Sequence, residues 1–267
     1  MIKNIVDKKS RFLIACTLFV IFTAIIAISN YIASLSGGNE DSVEMMISGM
    51  LFGFLAIPVF SIIIPLWLST IWNLPRSWIP QKGNWAVSLA VLLLYAIIGN
   101  FVSIQIIFKE GFDIARFTIH FISSMLFHVP YYPLFAILIF TTARAWKGIW
   151  FSIIVTALLF SLYHLAHFYF FPAGTTPIFL VGLFAAFACD LLLYLLTRSL
   201  LLIAFVHSIS GAVNMAAQGT YHDSVDFVFY LTIAIVSAIL MYAVLDHRKL
   251  NSQNQSFDEF WYQIKTQ

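Results

Sequence analysis

Long apolar segments constrain this chain more than any other feature of its sequence. An α-helix needs about 20 apolar residues to cross a bilayer, and about eight segments approach that length. They cover residues 12–35, 45–72, 84–108, 117–143, 149–171, 177–197, 199–217 and 226–245. Only 10% of the residues are charged, against about 25% in soluble domains. The sequence therefore predicts an all-α, polytopic membrane helix bundle, with one transmembrane domain over residues 1–245 and membrane lipid around it.

The positions of lysine and arginine predict the orientation of this bundle. If successive helices alternate in direction, all of the 14 cationic residues except Lys109 and Arg116 fall on one side. Short cytoplasmic loops are enriched in lysine and arginine, so we expect the N and C termini to be cytoplasmic. Residues 246–267 then form a polar cytoplasmic tail. The first apolar run is too long for a signal peptide, so we interpret it as the first membrane helix.

Several functional classes are disfavoured by composition and motifs. The formal net charge of +2 does not suggest a nucleic-acid partner. Cys16 and Cys189 both lie in apolar segments, where they form neither a disulfide framework nor a Cys-x-x-Cys metal signature. The sequence contains no Walker loop, no dinucleotide-binding fingerprint and no His-Glu-x-x-His zinc-protease helix.

A few ionisable residues interrupt these apolar segments, and they are the candidates for function. His128, His164, His207 and Asp190 lie inside predicted spans, with His167 one helical turn after His164. Burying such groups in lipid is costly, so they usually face the bundle interior or a wet cavity. At about 1.5 Å of rise per residue, His128, His164 and His207 lie roughly 10–16 Å below the outer boundary of the membrane. They therefore occupy similar depths, in the outer half of the membrane.

The fourth predicted span has an irregular centre next to His128. Pro130 and Pro133 flank Tyr131 and Tyr132 there. Proline removes helix hydrogen bonds and kinks the segment, and neighbouring groups or water must satisfy the carbonyls that it frees. We expect a cavity at this level of the bundle.

Asp190 is the only acidic residue well inside a predicted span, and three roles remain open for it. It could pair with serine, tyrosine or backbone groups across the hairpin of the sixth and seventh spans. It could instead hold a histidine in position or carry a proton. A simpler interpretation of the membrane histidines is that each is neutral and hydrogen-bonded between helices.

Two motifs in the C-terminal half resemble those of a known family. Residues 160–164 read Phe-Ser-Leu-Tyr-His, and a short Thr-Arg-Ser-Leu turn at 197–200 leads to a second histidine, His207. In order and spacing they resemble the CPBP family of CAAX proteases and bacteriocin-processing or immunity proteins. The resemblance covers about residues 125–217, within a CPBP-like core of about residues 117–217. It implies an eight-helix bacterial plasma-membrane protein with His164 and His207 in its site.

The chain departs from the family at two motifs. Where the family has Glu-Glu-x-x-x-Arg, the usual spacing leads to Tyr131 and Tyr132, with alanine in place of arginine. Where the family has His-x-x-x-Asn, His207 is followed by Gly211, and Asn214 lies nearly two turns after the histidine. In the family a glutamate is thought to activate water, and tyrosine, with a reference pKa of about 10, is a poor base.

Two ways in which the chain could catalyse proteolysis without the family's glutamates remain open. His128, His164 and His207 could bind zinc, because three imidazoles and a water form a known catalytic arrangement. Alternatively, His128 itself could serve as the base. Tyr131, Tyr132, Asn214, Asp190 and His167 would contribute to binding around such a site.

Three functions compete at this stage. The resemblance and the missing glutamates favour a degenerate relative that binds a peptide or protein partner, as in bacteriocin immunity or a cell-envelope scaffold. The second is an active intramembrane endopeptidase with a histidine-based site. The third is a proton-coupled transporter that uses Asp190, for which inverted repeats would be expected.

Overall fold

The computed structural model describes residues 6–37, 41–74, 104, 107–108, 111–168, 177–197 and 199–216. Six helices form the bundle over these ranges. They are α1 (Lys8–Leu35), α2 (Val43–Ile71), α3 (Ile114–Lys147), α4 (Ile149–Phe168), α5 (Pro177–Thr197) and α6 (Leu200–Ala216). The all-α class predicted from the sequence is thereby confirmed for the described part of the chain.

Three of these helices, α1, α2 and α3, are long and apolar enough to cross a membrane. The apolar stretches described in α4, α5 and α6 are shorter, covering Ile149–His164, Leu183–Leu192 and Leu200–Val213. Most of the predicted third span (84–108), the whole eighth span (226–245) and the tail lie outside the described residues. The count of eight spans therefore stays a prediction.

Local signals in the sequence set where the helices begin. Four side-chain oxygens accept a backbone N–H from three residues further on, which satisfies one of the otherwise unpaired donors of a first turn. These bonds join Asp7 to Ser10, Ser42 to Met45, Asp113 to Arg116 and Ser199 to Leu202. Between α3 and α4 a single residue, Gly148, makes the break at φ 89°, a conformation that glycine adopts without steric cost.

Two helices change from α-helical to π-helical geometry, which has a wider turn, and each of these segments contains a proline. Helix α2 is π-helical from Leu51 to Ile63, around Pro58, and α3 is π-helical from Pro133 to Phe140. Proline lacks an N–H and its ring clashes with the preceding turn, and a wider turn relieves that clash. The irregular centre predicted for the fourth span, which corresponds to α3, is confirmed. All eight residues from Pro133 to Phe140 are buried, so this stretch is packed on every side.

Four helix ends meet at one end of the bundle: α1 and α4 begin there, and α2 and α3 end there. The ring of Phe12 at the start of α1 lies 5.3 Å from that of Trp146 at the end of α3 and 5.7 Å from that of Phe151 in α4. The Arg11 guanidinium lies 5.9 Å from the Trp72 ring, just after α2. Helix α6 packs along α3, and α4 packs along α5, which sets the arrangement of the polar residues described next.

Candidate functional site

Asp190 is the centre of a polar cluster that joins three helices. Its carboxylate on α5 is only 1% exposed. The Tyr132 hydroxyl of α3 donates to its Oδ2 atom at 3.0 Å, and Nδ1 of His207 on α6 lies 2.9 Å from the same oxygen. An ionised carboxylate only accepts hydrogen bonds, so with Asp190 ionised it is Nδ1 that carries the hydrogen in that contact. Its other oxygen, Oδ1, is buried and has no partner among the described groups.

The tight hairpin between α5 and α6 explains why Asp190 and His207 meet. Asp190 lies seven residues before the last residue of α5 (197 − 190), and His207 lies seven after the first residue of α6 (207 − 200). Both are then about 10 Å from the turn. On two antiparallel helices joined by a tight turn, residues at the same distance from the turn lie at the same level, which brings Asp190 and His207 side by side.

Few charged side chains are available to balance this carboxylate. The sequences of α4, α5 and α6 contain no lysine or arginine, and α3 contains none between Arg116 and Arg144. Asp190 is the only acidic residue in the same stretches. The hydroxyl of Tyr132 and the imidazole of His207 are therefore its compensating groups on these helices, because a buried polar group without hydrogen bonds is costly.

His164 is held by its own helix rather than by the aspartate. Its Nδ1 lies 3.0 Å from the carbonyl oxygen of Phe160, one turn earlier on α4. The His164 ring centroid is 5.5 Å from that of Phe187 on α5, and the His207 centroid is 5.3 Å from the same ring. Phe187 and Asp190, three residues apart on one face of α5, thus contact the two histidines from the two matching motifs.

Tyr131 has a different environment from its neighbour Tyr132. Its ring packs against Phe22, Phe160 and Tyr163 with centroids 4.9–5.5 Å apart. Its hydroxyl is buried and forms no hydrogen bond with the described residues. The structure therefore places Tyr131 in the aromatic core, beside the polar cluster but outside its hydrogen bonds.

A separate cleft of about 420 Å³ lies between α2, α3 and α6. The surface of the cleft is mainly apolar, with a few polar groups. It is lined by Phe52, His120, Ser123, Ser124, Phe127 and Gly211. Gly211 is one turn after His207 on α6, so the cleft lies about 6 Å from the polar cluster along that helix. The cleft includes Ser124 and Phe127, close to His128 in the sequence, but the side chain of His128 lies outside the described residues, so a cavity lined by His128 stays a prediction.

The predicted site residues divide into two groups. The structure brings together Tyr132, Asp190 and His207. His164 is next to this group, because the ring of Phe187 contacts both His164 and His207. The side chains of His128, His167 and Asn214 lie outside the described residues. Among the side chains that the structure describes, no group of three possible metal ligands is present. Because His128 is outside that set, zinc binding by His128, His164 and His207 stays a prediction.

Sequence reasoning missed Phe187, which is fully buried and contacts both histidines. Its spacing of three residues from Asp190 was the available signal, because such residues share a helix face. In a chain with 27 phenylalanines, that signal does not distinguish this ring from the others.

Comparisons with known proteins give no relative for this chain. No family model matches it, and neither a curated protein nor a solved structure matches it.

Proposed function

We propose that this chain is a CPBP-like multi-pass membrane protein that binds a peptide or protein partner without cutting it. The proposal places it in a bacterial plasma membrane, with eight spans and cytoplasmic termini. Bacteriocin immunity and a scaffold for a cell-envelope enzyme are the two forms that the resemblance suggests. Lys8, Lys9, Arg11, Arg144 and Lys147 support the orientation, because all lie at the end of the bundle where α1 begins and α3 ends.

One observation carries this proposal: the positions of all three family motifs converge on one face of α5. Tyr132 occupies a glutamate position of the first motif and bonds to Asp190. His207, from the third motif, bonds to the same carboxylate. His164, from the second motif, contacts Phe187 one turn away. The meeting of three motifs that are dispersed along the sequence supports a single shared site.

The chemistry of that site favours binding over proteolysis. The two glutamate positions carry tyrosines, of which Tyr131 is packed in the core and Tyr132 is bonded to a carboxylate. The one carboxylate present, Asp190, is 1% exposed and accepts two hydrogen bonds. A general base must reach the water that it activates, and a carboxylate in this environment is poorly placed to do so.

A second candidate, an intramembrane endopeptidase, is favoured by the contact between Asp190 and His207. A carboxylate that orients an imidazole is the arrangement by which many hydrolases prepare a histidine as a base. His207 is 20% exposed, so its ring is more accessible than the aspartate. This candidate requires His207 to take the role of the absent glutamate.

Substitution of the two histidines tests the site. His164→Ala and His207→Ala should reproduce the phenotype of a deletion strain while the abundance of folded protein stays near the wild-type level. Leu162→Ala is the matched control, because Leu162 is on α4 and 45% exposed. Retention of full function by both histidine variants would refute the proposed site, and a collapse of their abundance would assign the histidines to stability instead.

A survey of protein N-termini separates binding from cleavage. Membranes from the wild type, the deletion strain and the His207→Ala strain are compared by mass spectrometry of N-terminal peptides. Binding without cleavage predicts the same N-termini in all three. An N-terminus that disappears in both the deletion and the His207→Ala strains would establish the endopeptidase and end the non-catalytic proposal.

A further inference from the structure

The cleft between α2, α3 and α6 has a lining that changes character along one face of α3. His120, Ser123, Ser124 and Phe127 all line it, and residues three, four and seven positions apart share a single helix face. The imidazole and the two hydroxyls are nearer the start of α3, and the phenylalanine is further along the helix. The cleft is therefore polar towards the start of α3 and apolar further along it.

The apolar part of the cleft is formed by two stacked rings and a glycine. The ring of Phe127 lies 5.6 Å from that of Phe52 on α2, at an interplanar angle of 4°. On α6, Gly211 has no side chain, and a Cβ atom built there would meet no heavy atom within 4 Å. The cleft is open on one side and its volume is about 420 Å³, which falls within the range of about 300–1,000 Å³ typical of ligand pockets.

A cation lies on the same face of α3, beyond the polar end of the cleft. Arg116 is one helical turn before His120, and at about 100° per residue the two differ in direction by only about 40°. Arg116 is exposed, and it forms no ion pair with the part of the chain that the structure describes. Asp113, also exposed, accepts the backbone N–H of Arg116 at 2.9 Å. A cation and an anion are therefore neighbours at this end of the cleft.

The length of this face matches one leaflet of a bilayer. Eleven residues separate Arg116 from Phe127 (127 − 116), which is about 16 Å along the helix axis. The hydrocarbon core of a bilayer is about 30 Å thick, or about 15 Å for each leaflet. With Arg116 in the first turn of α3, at the membrane boundary, the Phe127 end of the cleft reaches roughly the middle of the bilayer.

We propose that the cleft binds an acyl chain of a zwitterionic phospholipid whose phosphate contacts Arg116. A guanidinium group matches the geometry of a phosphate, and the carboxylate of Asp113 is placed to attract the ammonium group of the same headgroup. The Ser124 hydroxyl can donate to an ester carbonyl of the glycerol region, and the rings of Phe52 and Phe127 contact the acyl chain. This lipid site is separate from the Asp190 cluster and does not depend on a peptide partner.

Native mass spectrometry of the purified full-length protein tests the class of lipid. The protein in detergent is incubated with equal amounts of phosphatidylethanolamine, phosphatidylglycerol or diacylglycerol that carry the same acyl chains. We expect the protein to retain phosphatidylethanolamine at least several-fold more than either of the others. Equal retention of diacylglycerol would overturn the recognition of phosphate, and equal or stronger retention of phosphatidylglycerol would overturn the zwitterionic headgroup.

Variants of the cleft locate the bound lipid. Arg116→Gln removes the cation and Gly211→Leu adds a side chain inside the cleft, so each should lower the retained phosphatidylethanolamine several-fold. Lys147→Gln, at the other end of α3, and Leu162→Phe, at an exposed position on α4, are the matched controls for charge and for added bulk. Unchanged retention in either cleft variant, or an equal loss in the controls, would overturn the proposal. If Gly211→Leu fails to fold, Ser124→Leu fills the cleft from α3 instead.

A photoreactive lipid distinguishes this site from general contact with the bilayer. Phosphatidylethanolamine with a diazirine near the end of one acyl chain is added to the protein in vesicles, and the labelled residues are identified by mass spectrometry. Phe52 and Phe127 should be labelled at least several-fold more than Leu158 and Leu162, which are exposed on α4. Equal labelling of the two pairs would mean that the cleft holds only bulk lipid, and it would overturn the proposal.

Discussion

Oδ2 of Asp190 lies 2.9 Å from Nδ1 of His207, across the hairpin of α5 and α6. The same oxygen accepts the hydroxyl of Tyr132, so a single buried atom connects three helices. Removing it leaves two donors without their acceptor. A buried donor left unsatisfied costs about 1–3 kcal/mol, although hydrogen bonds within membranes average closer to about 0.6 kcal/mol.

Asp190→Ala should therefore lower the free energy of unfolding by about 1–3 kcal/mol. Asp190→Asn should cost less, because its side chain has the same shape and retains an acceptor oxygen. Reversible unfolding in mixed micelles measures both variants. Equal losses for alanine and asparagine would show that the charge, rather than the acceptor, is what the cluster requires.

Phe187→Ala should be among the most destabilising single substitutions in the described bundle. The ring is fully buried and contacts His164 and His207, and truncation of a buried phenylalanine costs about 3–5 kcal/mol. The same unfolding assay provides the measurement. Leu162→Ala at an exposed position is the control, for which a change within about 0.5 kcal/mol is expected; a similarly small change for Phe187→Ala would contradict the packing.

Gly211 should tolerate a larger side chain. A Cβ atom built there would meet no heavy atom within 4 Å, and alanine is favoured over glycine inside a helix by about 1 kcal/mol. Gly211→Ala should therefore keep or raise the unfolding temperature. Gly211→Asn should also fold, and it places an asparagine four residues after His207, the spacing of the motif that the chain was compared with. Marked destabilisation of both variants would mean that this face of α6 is closely covered.

Asp7 should titrate below the ordinary aspartate pKa of 3.8. The backbone N–H of Ser10 donates to its carboxylate at 2.7 Å, and this bond is the main cause that lowers the pKa of Asp7. Because the folded-state pKa is the lower one, the cap stabilises the start of α1 above the unfolded-state pKa and is lost as the pH falls through the folded one.

NMR titration of the Asp7 carboxyl carbon measures this effect, with the Ser10 amide signal reporting the same transition. In Asp7→Asn the cap is retained but the Ser10 signal should no longer titrate with Asp7. A midpoint at or above 3.8 for wild-type Asp7 would contradict the capping contact.

The helices themselves could be predicted because their causes are local. Apolar length and capping residues are properties of a short stretch of chain, and the predicted bounds differ from α1, α2 and α3 by at most four residues. The irregular segment after Tyr132 was likewise predictable, because Pro133 lacks the N–H that a regular helix needs. The packing around that segment was not predictable, because it depends on neighbouring helices, here through the contact between the rings of Phe135 and Phe160.

The sequence by itself determined that this chain forms apolar helices with a few ionisable residues inside them, and it identified Tyr132, His164, Asp190 and His207 as the residues to follow. Only the tertiary structure decided that Asp190 bonds to His207 and Tyr132, while His164 bonds to its own helix and reaches the cluster through Phe187. The physical reason is that helix formation depends on neighbours within one turn. Contacts between helices depend instead on how each helix is rotated about its axis, which the packing of the whole bundle sets.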